Sequence, residues 1–313
     1  MSHPLHQPCL FEEEKRESAM FWNRKKTDTS LNTVHRVPTM ATWPRRAADL
    51  SEIPELYRPE LEPWLERRAG ARLLFVPLFD KRTGNRPEYT AAWDKNTLLL
   101  LVRRPEGTLI RTEIQQQAIL QVRYFRSILD CNGTVAYRDG DAVKNAAFHF
   151  NYSTEKEFVP VFNMLLGQPD DHAANILDHE NSACIALRDE NYPLYNFGRL
   201  VYRMDDVLQD YFWTHHEYKE NWYAREIMKT DYLVAAMGRG LAAMSFQTNR
   251  NHQACHYIPW DHLQRLILDG PEKNCLLRIE TGAPEPLTLP VHAAKYGQAR
   301  DFALLWSPGA VKN

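Results

Sequence analysis

The apolar positions of the chain fall into short runs, and the order of those runs is written twice. From Tyr89 to Leu166 the sequence reads YTAAW, a polar break, TLLLLV, a loop, IQQQAILQV, NGTVAYRDGD, AFHFNYS and EFVPVFNMLL. From Tyr232 to Trp306 it reads YLVAAM, Gly238-Arg239-Gly240, LAAMSF, a polar loop, YIPWDHLQRLIL, NCLLRIETG, LTLPVH and ARDFALLW. Ala91 falls on Ala235, Trp93 on Met237 and Ile119 on Leu263, one constant shift of 144 positions. Almost no residues coincide, so what recurs is a spacing, as in a duplicated fold whose surfaces have diverged.

Runs of Val, Ile, Leu and aromatics broken at short intervals by Gly, Asn, Asp and Pro predict antiparallel strands joined by turns. The last run of each half differs. Phe158, Val161, Phe162 and Leu165, and then Phe302, Leu305 and Trp306, fall at three- and four-residue steps and predict one amphipathic helix each. A twisted sheet that ends in such a helix buries its apolar face by curling until the helix covers the open end. The hairpin strands, the IQQQAILQV strand, the short strands after it and the closing helix together resemble the pleckstrin-homology-like (PH-like) domains of bacterial type. The resemblance spans the two repeated stretches. It implies a mainly β fold with α: two PH-like antiparallel β-barrels, each closed by a C-terminal helix.

Along the chain, residues 1–66 read as an N-terminal arm, 67–168 as the first barrel and 169–313 as the second. The arm is rich in charge and proline, with scattered aromatics at Phe11, Phe21, Trp22, Trp43 and Tyr57. Two readings apply to these rings: they pack the arm on the first barrel, or the first forty residues dock a partner. Gly167-Gln168-Pro169-Asp170-Asp171 reads as a linker, and CIALRDE and FGRLVYRM as a strand pair around Asn191-Tyr192-Pro193. Near 205–228, Val207, Leu208, Tyr211, Phe212, Tyr218 and Trp222 follow helical spacing behind Asp205 and Asp206, which predicts a helical insertion in the second barrel.

Charge and composition narrow the function. A formal net charge of -2 over 313 residues argues against a polyanion such as nucleic acid as partner. Five cysteines without CxxC spacing fit reduced thiols in a cytoplasmic protein better than a disulfide framework. The N-terminus lacks the basic start and apolar core of a signal peptide, and no apolar run reaches the ~20 residues of a membrane span.

Candidate chemistry is sparse. In eukaryotic PH-like proteins basic residues of the first inter-strand loop hold inositol phosphates, and the resemblance places Lys81, Arg82 and Arg86 there as a candidate anion site. The histidines of His215-His216-Glu217 and the pair Cys255-His256 invite metal or thiol chemistry. No spacing matches a zinc motif, and adjacent strand residues point to opposite faces. No GxSxG, Walker or GxGxxG motif occurs, and Gly238-Arg239-Gly240 reads as a tight hairpin turn. Tyr211, Phe212, Trp213, Tyr218 and Trp222 concentrate large rings of the kind favoured at interfaces. The expectation is therefore a non-catalytic binding or scaffold protein, with no metal or cofactor, that takes a partner protein between the barrels through these aromatics. The alternatives are an anionic lipid headgroup or phosphorylated ligand at the basic loop, and a hydrolase or thiol enzyme around His215, His216, Glu217 or Cys255.

Overall fold

The computed structural model describes residues 43–81, 84–128, 130–168, 181–202, 206–219 and 227–308. A short strand β1 (Arg45–Ala47) and helix α1 (Arg58–Leu65) come first. Then follow β2 (Arg72–Val76), the small hairpin β3 (Phe79–Lys81) and β4 (Gly84–Arg86), β5 (Tyr89–Trp93), β6 (Thr97–Arg103) and β7 (Leu109–Gln115). A 3-10 turn at Gln116–Ala118 leads to β8 (Ile119–Arg126), β9 (Asp130–Asp139) and β10 (Ala142–Asn151), and a second at Tyr152–Thr154 to helix α2 (Glu155–Leu165). After helices α3 (Ser182–Glu190) and α4 (Tyr192–Val201) come β11 (Leu208–Tyr218), β12 (Met228–Met237), β13 (Gly240–Gln247) and β14 (His252–Pro259). A 3-10 turn at Trp260–His262 then precedes β15 (Arg265–Asp269), β16 (Cys275–Glu280) and β17 (Leu287–Val291), and one at Ala293–Lys295 precedes helix α5 (Tyr296–Trp306). Apart from the β3–β4 hairpin and two further 3-10 turns of the second half, at Thr248–Arg250 and Glu272–Asn274, the order from β2 to α2 returns from β11 to α5.

The fold is mainly β with helices, and every strand pairing is antiparallel. Five strands form one sheet in the order β1-β2-β5-β6-β7, and three form another in the order β15-β16-β17. Between them lies a seven-stranded sheet, β10-β9-β8-β14-β13-β12-β11, to which both halves contribute. None of these sheets closes into a barrel, contrary to the sequence expectation. At the turn Gln116–Ala118 the chain leaves the five-stranded sheet, and β8 gives its outer edge to β14, with Val122 opposite Tyr257 and Arg126 opposite Gln253. An edge satisfied by the other half is not available to close its own.

Burial explains which runs are continuous and which alternate. In β6, Leu98 and Leu100 face one core while Leu99 and Leu101 face another, so the strand is apolar throughout. The second core lies under α1, where Ile53, Tyr57, Leu61 and Trp64 cover the outer face of the five-stranded sheet. Tyr57 and Trp64 thus pack the end of the arm on the first half, with β1 extending its sheet. Trp43 is exposed, and Phe11, Phe21 and Trp22 lie outside the described residues. In β9 and β10, one face is open and the residues alternate. Phe148 and Phe150 point inward onto Phe158 and Phe162 of α2, with Phe150 stacked on Phe158 at 4.2 Å.

Two expectations for the second half are corrected. The segment Leu208–Tyr218 is a strand, not a helix, and pairs with β12 from Tyr218↔Met228 to Leu208↔Met237 through an irregularity at Leu208/Asp210. Its aromatic and β-branched residues suit a strand, and the edge of β12 supplies a full ladder that a surface helix would lack. Conversely, the expected strand pair CIALRDE and FGRLVYRM forms α3 and α4. Asn181 accepts from the Cys184 amide at 2.8 Å and Asn191 from the Leu194 amide at 3.2 Å, with Pro193 in the first turn of α4. These are helix N-caps. Leu187 and Leu194 then cover the outer face of β12 and β13, the place α1 holds in the first half. Among the described residues no helix is long and apolar enough to cross a membrane.

Candidate binding site at the seam of the two halves

Where β8 meets β14, the chain leaves a cleft of about 330 Å³. Ile119 and Val122 of β8 and Leu165 and Leu166 at the end of α2 form one wall; Leu241 and Ala242 of β13 and Tyr257 and Ile258 of β14 form the other. Tyr202, just past α4, closes the floor with its ring 5.6 Å from that of Tyr257. Gln116, Gln117, Arg239, Asp261 and His262 stand around the mouth. A concave apolar floor with a few convergent polar groups is the usual form of a ligand pocket.

The hairpin that carries Arg239 is held from several sides. The Arg239 amide donates to the Asp206 carboxylate at 2.7 Å, the Gly238 amide to the Val207 carbonyl at 3.1 Å, and the Trp260 indole to the Met237 carbonyl at 2.8 Å. Glycine is required at position 240 because a Cβ there would stand 2.3 Å from the Ile258 carbonyl oxygen. The Arg239 guanidinium comes within 3.5 Å of the Gly167 carbonyl, beyond the last turn of α2, where a cation is favourable. Gly167 has φ +67, as a helix-ending glycine does, and the amides of Gly167 and Gln168 return to Met164 and Asn163 at 3.0 and 2.7 Å. Two chain reversals therefore fix the mouth.

On the other face of the seam, His256 lies opposite Arg123 and is buried, 5% exposed. The Gln121 amide reaches its Nδ1 at 2.5 Å. Burial, with Arg123 beside it, holds the imidazole well below its ordinary pKa of 6.5, so the ring is neutral. Cys255 points into the opposite core, 0% exposed, and His256 does not face it. His256 is therefore not placed to serve this thiol as its base.

The aromatics singled out in the sequence separate by strand alternation. Phe212 is buried against Phe302 of α5, ring centroids 5.3 Å apart. Tyr211 and Trp213 lie half-buried on the opposite face. There the Tyr211 hydroxyl and the Lys295 ammonium both donate to Glu190 at 3.0 Å, and Lys295 stands 3.8 Å over the Trp213 ring. Tyr218, also half-buried, accepts from Gln247 at 2.9 Å. Trp222 lies outside the described residues, as do Arg82 and the side chains of Lys81 and Arg86. His215 stacks on His292 with centroids 4.5 Å apart, while His216 stacks on Tyr218, two residues on along the same face of β11. Among the described residues no three His, Cys, Asp or Glu side chains converge as a metal site.

None of the sequence candidates among the described residues lines the cleft. Arg239 was legible only as a turn residue, and Gln116 and His262 only as members of the runs IQQQAILQV and YIPWDHLQRLIL; what makes them a mouth is the pairing of β8 with β14, which brings together residues 135 positions apart such as Gln121 and His256. Compared by sequence, the chain matches no protein-family model and no curated protein.

Proposed function

We propose that the chain is a non-catalytic binding protein of the cytoplasm, built from two tandem PH-like units of bacterial type, that takes a segment of a partner protein into the seam cleft. The observation that carries this reading is the cleft itself: an apolar floor spanning both halves, with a mouth set by Arg239 and Asp261. Charges of both signs beside amide groups suit a peptide, with its carbonyls, amides and mixed side chains, better than a bare phosphate. The floor fits one bulky apolar side chain, and Arg239 favours a carboxylate next to it. The repeated order of strands, turns and helix supports the tandem PH-like reading.

A peptide-display library panned on the whole chain tests this. Enriched peptides should share an apolar anchor flanked by Asp or Glu, lose binding to Leu166→Trp, which fills the cleft from its rim, and bind Arg239→Ala about tenfold more weakly, ~1.4 kcal/mol. A library that yields no peptide sensitive to Leu166→Trp refutes the proposed site.

A further inference from the structure

Within the chain, an edge strand of one half pairs with an edge strand of the other; among the described residues the strands at the equivalent positions on the outer ends have no such neighbour. β8, the first strand after the 3-10 turn of the first half, pairs with β14, the last strand before that turn in the second. By order, the counterpart of β14 is β7, and the counterpart of β8 is β15. Among the described residues β7 is the end strand of the five-stranded sheet and β15 the end strand of the three-stranded sheet. From this we infer that β15 of one copy pairs with β7 of the next, head to tail, as β8 pairs with β14 inside each chain.

The backbone directions agree. The Gln116 amide bonds the Asn96 carbonyl at 2.7 Å and the Arg104 amide the Thr108 carbonyl at 2.8 Å, so even-numbered residues of β7 face β6. The amides and carbonyls of Leu109, Arg111, Glu113 and Gln115 therefore point off the sheet. In β14 the bond from Trp260 to Arg239 sets the same parity, and Gln253, Cys255 and Tyr257 face β8. On β15, Leu266 presents its amide and carbonyl outward, where the Ser307 hydroxyl bonds both at 3.3 and 3.2 Å. Ser307 thus caps the edge at the position equivalent to Val122, which opposes Tyr257 at the internal seam.

The cores repeat the logic. One core runs without a break from the interior of the first half to Leu187, Leu194 and Met244 on the outer face of the second. Its two counterparts, the interior of the second half and the layer under α1, are separate clusters within one chain. A β15–β7 contact between copies would join them, and Ile110, 40% exposed, would come to lie diagonal to Ile267. Such a contact is heterologous and leaves a β7 open at one end of the assembly and a β15 at the other, so it builds chains rather than a closed dimer.

Carrying the internal register over sets Thr112 opposite Ile267 and Arg111 opposite Leu268. Thr112 and Ile267 form a pair without mutual hydrogen bonds, whose Cα atoms come close enough for a disulfide. In a Cys9→Ser background, Thr112→Cys protein mixed with Ile267→Cys protein should form a disulfide-linked pair, and mixed with Asp269→Cys protein should not. Sedimentation should show mass rising with concentration above the 36.5 kDa of one chain. Ser307→Ala should move that rise to about tenfold lower concentration, and Arg111→Pro, which removes an outward amide without touching the β6 ladder, should abolish it. The inference is overturned if wild type and Ser307→Ala both stay at monomer mass, if Arg111→Pro associates like wild type, or if the two cysteine mixtures cross-link equally. It shares the repeat with the proposed function but not the cleft, so a monomer that still binds peptides at Leu166 sinks this inference alone.

Discussion

Acidification is expected to weaken the fold at the seam, and His256 sets the size of the effect. Its ring is buried between Arg123 and Ala243, and Nδ1 accepts from Gln121, so protonation both charges a desolvated site and destroys a hydrogen bond. The folded pKa is depressed while the unfolded one stays near 6.5. Below that value the unfolded chain binds a proton that the folded chain refuses, so stability falls as pH falls. With the folded ring neutral throughout, going from pH 7.5 to 5.5 removes on the order of 1 kcal/mol through this one group, or about 2 °C in Tm for a chain of this size. His215, His216 and His252 are also held low by burial and act with the same sign, so the single contribution has to be isolated. Thermal unfolding of wild type and His256→Leu at several pH values does so. The variant should lose on the order of 1 kcal/mol of pH dependence over that interval, whatever its stability at neutral pH. Parallel pH profiles for the two proteins would show that His256 is not the neutral, buried group of the seam.

Three further outcomes follow from the same geometry. Gly240→Ala drives a methyl against the Ile258 carbonyl at 2.3 Å, so the hairpin must shift; it should cost about 1–3 kcal/mol in urea unfolding and displace Arg239 enough to lower peptide binding. Phe150→Ala removes a ring stacked on Phe158 in the first core and should cost about 3–5 kcal/mol, read by the same unfolding curves with the slope unchanged. Burial pushes the Cys131 thiol up to about 12, with Glu155 adding to it, and raises Cys184 and Cys275 as well. Iodoacetamide at mild alkaline pH should therefore leave Cys131, Cys184, Cys255 and Cys275 unmodified in the native protein and label all of them after denaturation, as read by mass spectrometry. Rapid native labelling of Cys255 would revive the thiol-enzyme reading.

Elements made by local pattern were the ones legible beforehand. The runs at Tyr89, Thr97, Ile119, Met244 and Leu277 are strands, and the three- and four-residue steps at Phe158 and Phe302 are helices. The errors fell where two patterns competed. In Leu208–Tyr218 the rings satisfy a helical stripe and a strand alternation equally, and the edge of β12 decides between them. In α3 and α4 the signal is present in Asn181, Asn191 and Pro193, which start helices, but Asn191 and Pro193 equally suit a turn between strands, and Asn181 carries no signal strong enough to decide.

What the chain determined by itself is the list of elements and their doubled order, because period, caps and turn residues act over a few neighbours. Only the tertiary structure decided that β8 leaves its own half to pair with β14. That choice depends on which edge lies within hydrogen-bonding reach once both halves have folded, and no local pattern carries it. The cleft, the mouth around Arg239 and the neutral His256 are all consequences of that one long-range pairing. The rings of Tyr211 and Trp213 look like an interface in sequence; the fold adds that Tyr211 bonds Glu190 of α3 and that Lys295 stands over Trp213, contacts that no local pattern announces.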